Sequence, residues 1–175
     1  MGCRTRVLGN VHDPDRQTTY GRGNLSFTSI NLPRLGIEAH GDLDVFYQKL
    51  DDMMDLVIRQ LLHRFKIQAA RKVRNYPFLM AQGIWIDSEH LSIDDTVGEV
   101  LKHGTLSVGF IGLAETLKAL IGKHHGESEE AQQLGLAIIG HMRHKLDEES
   151  QKTGLNFTLL ATPAEGLSGR FVKMD

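Results

Sequence analysis

Two long amphipathic runs set among short β-type runs constrain this chain more than any other feature. Residues 42–72 read as one long helix with Asp42 as its N-cap. Phe46, Leu50, Met53, Met54, Val57, Leu61 and Phe65 recur there at helical spacing and form one apolar stripe, while Asp51, Asp52, Asp55, Arg59 and Arg64 fall off it. The second run starts at Ser128, where Glu129 and Glu130 suit the positive end of a helix dipole. Its apolar face is Ala131, Leu134, Gly135, Ile138, Ile139, Met142 and Leu146, and Gly154 ends it. Residues 25–32 (LSFTSINL), 105–113 (TLSVGFIGL) and 155–162 (LNFTLLAT) read as buried strands, with Pro33 and Pro163 closing the first and last. Strands alternating with long helices predict an α/β fold with a largely parallel sheet.

The remaining segments fill in that pattern. Residues 9–24 are rich in Gly, Pro and polar residues and read as loop. Asn75-Tyr76-Pro77 breaks the first long helix, and 78–86 (FLMAQGIWI) reads as a further strand or extended segment. A short helix is predicted over 92–104 with Ser92 as N-cap and Gly104 as C-cap, and another over AETLKALIGK, after the strand at 105–113. The 175 residues suit a single domain. Both ends read as truncated: the chain opens inside a loop and stops a few residues past a strand, which would leave the faces and edges of a small sheet open.

Composition excludes several classes of function. A net charge of −2 gives no basic footprint for nucleic acid. One cysteine excludes an intrachain disulfide and an all-cysteine metal site, and fits a reducing cytoplasm. No apolar run approaches the roughly 18 residues of a membrane span, and no signal peptide is visible.

Few local motifs carry chemistry. GRGN (21–24) and GKHHGES (122–128) fit neither the dinucleotide fingerprint nor a P-loop. His141 and His144 share a helix face, but no acidic or cysteine partner stands at a telling spacing, and no metal site is assigned. LLATPAEGLSGRF (159–171) is more telling. A strand-to-helix turn there would present backbone N–H groups and a helix dipole, which suit a phosphate. Ordinary capping of a tight turn by Thr162 is the competing reading. Cys3, in MGCRTRV, has three readings: a lipid attachment point, an incidental terminal residue, or a reactive centre whose preceding context is missing. The myristoylation pattern requires Ser or Thr where Arg6 stands.

Four blocks then bear on all of these readings: MGCRTRV, GRGNLSFTSINLPRLGIEA (21–39), VGFIGLAETL (108–117) and TGLNFTLLATPAEGLSGRF (153–171). Together, and in this order, they resemble the anaerobic, class III ribonucleoside-triphosphate reductases, a family of glycyl radical enzymes. The resemblance implies that the chain is the second half of a ten-stranded α/β barrel. Residues 1–175 would be one fragment of the catalytic domain, with 1–24 as a finger loop and 25–175 as strand-helix units. Cys3 matches the family's finger-loop cysteine, which a glycyl radical oxidises to a thiyl radical that removes the ribose 3′ hydrogen. Asn24 matches an asparagine near the substrate ribose. Thr162, Pro163, Ala164 and Glu165 match the turn that holds substrate phosphates through backbone N–H groups, and the Glu165 side chain is left without a role. Glu115 would lie near the active site or on an exposed helix face.

The resemblance further implies partners and cofactors: a ribonucleoside triphosphate substrate, a radical-SAM activating enzyme, a homodimer, ATP and dNTP effectors, and structural zinc outside this segment. It implies a cytoplasmic protein and predicts that the fragment alone is inactive. Two alternatives remain at this point, a glycyl radical enzyme of the pyruvate formate-lyase type and a non-catalytic lipid-anchored or scaffold module.

Overall fold

A computed structural model describes Val7 and residues 9–174. Its elements run β1 (Asn24–Asn31), α1 (Leu32–Glu38), α2 (Leu43–Ala69), α3 (Gly98–Leu101), β2 (Thr105–Ile111), α4 (Leu113–Ile121), α5 (Glu129–Thr153), β3 (Asn156–Ala161) and α6 (Glu165–Met174), with short 3₁₀ turns at Val73–Asn75 and Ser88–His90. The strands form one sheet in the order β1-β2-β3. Their register shows that they run parallel. Thr105 N–H donates to the Gly23 carbonyl at 2.9 Å, and four residues on, Gly109 lies against Ser29. Likewise the Asn156 side-chain Nδ2 donates to the Gly104 carbonyl, and Thr162 N–H to that of Phe110. The α/β expectation and its parallel sheet therefore hold.

Side chains alternate across each strand. Ile30, Leu106, Val108 and Phe157 share one face and are buried. Ser29, Ser107, Gly109, Thr158 and Thr162 share the other by the same alternation, and hydroxyls meet there in pairs: Ser29 with Thr162 at 2.7 Å and Ser107 with Thr158 at 3.0 Å.

Both long helices form as expected. Asp42 caps α2 by accepting from Val45 N–H at 3.1 Å, and Ser128 caps α5 by accepting from Ala131 N–H at 3.2 Å. Phe46, Leu50, Met54, Val57 and Leu61 make the buried stripe of α2. Gly154, at φ +67°, ends α5 in the left-handed conformation that glycine adopts without steric cost.

β1 ends at Asn31 as expected, and Pro33 sits in the first turn of α1, where its missing N–H has no helical partner to lose. Two expectations are corrected. Residues 78–86 form turns, not a strand. Trp85 N–H bonds the Leu79 carbonyl and Ile86 N–H bonds that of Gly21, so no ladder is left to join. The helix expected over 92–104 shrinks to Gly98–Leu101. Asp95 folds back on Ser92, Thr96 bridges Lys72, and Val97 N–H donates to Arg71, which draws 92–97 into pairing with 71–73.

The chain divides into two compact units. Of the described residues, the first comprises Val7, 9–27, 59–107 and 146–158, and the second 28–58, 108–145 and 159–174. In the first, Val73, Met80, Trp85, Val97, Val100 and Leu101 form a core, joined by Leu25, Phe65, Tyr76, Ile86 and Leu91. The Trp85 indole N–H finds the Val100 carbonyl at 2.7 Å, so its polar end is satisfied inside. In the second, α1 packs closely on α4 at Gly36, where a Cβ would come within 3.1 Å of Thr116 Cγ2. Among the described residues, no helix is long and apolar enough to cross a membrane.

Candidate active site

The turn expected to hold phosphate forms where the sequence places it. β3 ends at Ala161, Thr162 to Ala164 make the turn, and α6 starts at Glu165. Thr162 N–H donates to the Phe110 carbonyl at 2.9 Å, which ties the turn to the end of β2. The first bond of the helix runs from Ser168 N–H to the Ala164 carbonyl at 2.8 Å. The helix therefore leaves Gly166 and Leu167 N–H without intrahelical acceptors, at the positive end of its dipole. Glu165 stands in that first turn, where its carboxylate is favoured by the same dipole.

The Thr162 side chain does not cap α6. Its hydroxyl bonds Ser29 Oγ at 2.7 Å, across the strand between them. That meeting depends on Gly109. A Cβ at residue 109 would overlap Thr162 Oγ1 and come within 2.6 Å of Ser29 Oγ. Ser29 and Gly109 were not picked out as site residues from the sequence. The signal for Gly109 was present, because a glycine inside a β-type run marks a close approach.

A cavity of about 280 Å³ is lined by Asn31, Pro33, Ile111, Gly112 and Glu115 together with Ser168, Phe171 and Val172 of α6. It lies at the carboxyl ends of β1 and β2, the end of a parallel sheet where ligands bind in open α/β folds. Glu115 is the one charged group among these residues.

Asn24 opens β1 and belongs to the first unit, whereas residues 162–165 belong to the second. Cys3 lies outside the described residues. His141 is engaged by Asp51, with Nε2 2.8 Å from the carboxylate, and Lys145 Nζ reaches the same Oδ1 at 3.1 Å. Asp87, Glu89 and His90 come close to one another, but the last two are exposed and Asp87 is already engaged by Arg16, so the group is not read as a metal centre.

Residues 1–175 match the family described as anaerobic ribonucleoside-triphosphate reductase over their full length. The chain is 36% identical over 178 residues to the enzyme of that name from Salmonella typhimurium, covering all of this chain and 25% of that protein. It is 35% identical to the Escherichia coli enzyme, with the same coverage, and 30% identical over 181 residues to that of enterobacteria phage T4, covering 28% of it. The chain thus spans about a quarter of the length of these relatives. In structure it is similar to the anaerobic ribonucleotide reductase from Thermotoga maritima crystallised with citrate in the active site, at a TM-score of 0.71 and 17% identity over 87% of this chain and 26% of that one. A second anaerobic ribonucleotide reductase matches at a TM-score of 0.69 and 18% identity. At such identities the likeness speaks for the fold.

Proposed function

Because this chain belongs to the anaerobic ribonucleoside-triphosphate reductase family, we propose that it forms part of the catalytic barrel of an enzyme that reduces ribonucleoside triphosphates to 2′-deoxyribonucleoside triphosphates. The observation that carries the reading is the family match over all 175 residues, in relatives of which it spans a quarter. The local geometry supports it: a strand-to-helix turn with N–H groups and a helix dipole is suited to a polyphosphate.

Cys3 takes the role of the hydrogen-abstracting thiol. As a thiyl radical it removes the 3′ hydrogen of the ribose, which labilises the 2′ hydroxyl to leave as water. Two electrons from an external reductant then complete the reduction, and Cys3 returns hydrogen to C3′ and becomes a radical again. A glycyl radical on another part of the protein supplies the initial oxidation of Cys3. Asn24, whose amide both donates and accepts, is assigned to the ribose region, and residues 162–165 to the phosphates. The barrel would have ten strands, of which the three seen here are a part. A radical-SAM activating enzyme, ATP and dNTP effectors, a homodimeric state and a cytoplasmic location belong to the same proposal. Zinc held by cysteines would lie elsewhere in the protein, since this chain has one cysteine.

The test is the Cys3→Ala variant of the full-length enzyme, activated under anaerobic conditions. The glycyl radical signal in electron paramagnetic resonance should persist while deoxyribonucleotide formation is abolished. Turnover by that variant would sink the reading.

A further inference from the structure

Within the first unit, a buried polar network ties the loop that follows Cys3 in sequence to the starts of β2 and β3. Asn10 and Asn156 are 1% and 3% exposed, and His103 is 3% exposed. Asn156 is held in one orientation. Its Nδ2 donates to the Lys102 and Gly104 carbonyls at 3.0 and 3.1 Å, and its Oδ1 accepts from Val11 N–H at 2.7 Å. Asn10 is fixed by the same logic. Its Nδ2 faces the Arg16 carbonyl at 3.2 Å, which requires a donor there, and its Oδ1 receives Asn156 Nδ2 at 3.4 Å.

These orientations settle the tautomer of His103. Asn10 Nδ2 also lies 2.9 Å from His103 Nδ1, so Nδ1 must accept and carry no proton. The proton then sits on Nε2, which points at Asp87 Oδ2 at 3.2 Å. The backbone around this ring is equally committed. Arg22 donates from Nε to the His103 carbonyl at 2.8 Å, and from its two terminal nitrogens to the Thr18 and Gly9 carbonyls. A protonated imidazole would present N–H to the Asn10 amino group, donor against donor.

We propose that Asn10, His103 and Asn156 are positioning residues that fix the loop after Cys3 on the barrel, and that they hold it only while His103 is neutral. The groups facing the ring are Asp87, which favours its protonation, and His12 and Arg16, which oppose it. Asp13 pairs with Arg16. Burial is the largest influence and pushes the imidazole below its ordinary value, in accord with the neutral form. The inference rests on the proposed function for its catalytic consequence, but its loop-anchoring part has a separate readout.

The experiment compares full-length wild type, His103→Gln and His103→Leu. Glutamine offers one acceptor and one donor without titrating; leucine offers neither. In wild type, amide exchange across residues 9–22, corrected for its intrinsic pH dependence, should lose protection as pH falls below about 6.5. His103→Gln should keep that protection at all pH values and keep kcat within about threefold. His103→Leu should lose protection at neutral pH and lower kcat by about 10- to 100-fold, with KM and the glycyl radical yield unchanged. If His103→Leu does not fold, His103→Gln decides alone. Acid-induced loosening that persists in His103→Gln overturns the proposal, as does a folded His103→Leu with wild-type exchange and kcat. If Cys3→Ala is inactive while both His103 variants behave as wild type, this inference fails and the proposed function stands. If Cys3→Ala turns over, the proposed function fails, and the exchange data still judge the anchoring.

Discussion

The region around His103 in the first unit and the region around Gly109 in the second solve opposite problems. Around His103, Asn10 and Asn156, side chains fill the space, and each donor meets an acceptor. Around Gly109, the side chain is withheld, so that the Ser29 and Thr162 hydroxyls can meet over bare backbone. The first arrangement is sensitive to chemistry at constant shape, the second to shape at constant chemistry. Buried polar groups tolerate no change in donor count, whereas a close contact tolerates no added atom.

The sharpest way to break this comparison is an isosteric change in the first region. Asn156→Asp keeps the shape but sets a carboxylate oxygen against the Lys102 and Gly104 carbonyls. It should destabilise by about 3 kcal/mol or more in chemical denaturation, and a neutral result would show that the network is not read chemically. Gly109→Ala adds one methyl group to the second region and should cost about 2 kcal/mol, with the turn at residues 162–164 displaced. A full-stability Gly109→Ala variant would mean that the hydroxyl pair yields easily. Thr162→Val keeps the volume and removes the hydroxyl bond to Ser29, so its cost should be only about 1 kcal/mol, below that of Gly109→Ala. The reverse order would show that chemistry, not shape, governs this region too.

Acidification separates the two regions without a mutation. Burial holds folded His103 below its unfolded value, so the unfolded chain binds the extra proton first as pH falls. Stability tied to His103 is fully present above about pH 6.5 and is lost on acidification through that value toward the folded one. The Arg16 guanidinium holds the Asp87 carboxyl below the usual carboxylate range, so its contribution survives to lower pH and is lost as pH falls below about 3.9. Exchange near Gly109 should not follow the histidine step. A smaller effect still is expected at the helix surface, where Lys145→Met removes the pairs with Asp51 and Asp55 and should cost about 0.5 kcal/mol.

Much of this was legible in the chain. Alternating runs and caps at Asp42, Ser128 and Gly154 specify the long helices and strands, because helical spacing and capping chemistry are local. The turn at residues 162–165 was visible for the same reason: a β-type run followed by Pro163 and small residues is a local strand-to-helix signal. Residues 78–86 and 92–97 were misjudged because their backbone partners lie far away in sequence. The Ile86 N–H goes to Gly21 and that of Val97 to Arg71, and no periodicity encodes such bonds.

The sequence by itself determined the α/β class, the helical stripes, the strand-to-helix turn at residues 162–165 and, through four blocks in order, the family. Only the tertiary structure decided which side chains act together. His103 meets Asn10 across 93 residues and Ser29 meets Thr162 across 133, and such pairs form only when the packed fold brings distant segments together. Donor and acceptor matching at those distances is a property of the packed fold, because a buried group finds its partner in space and not along the chain.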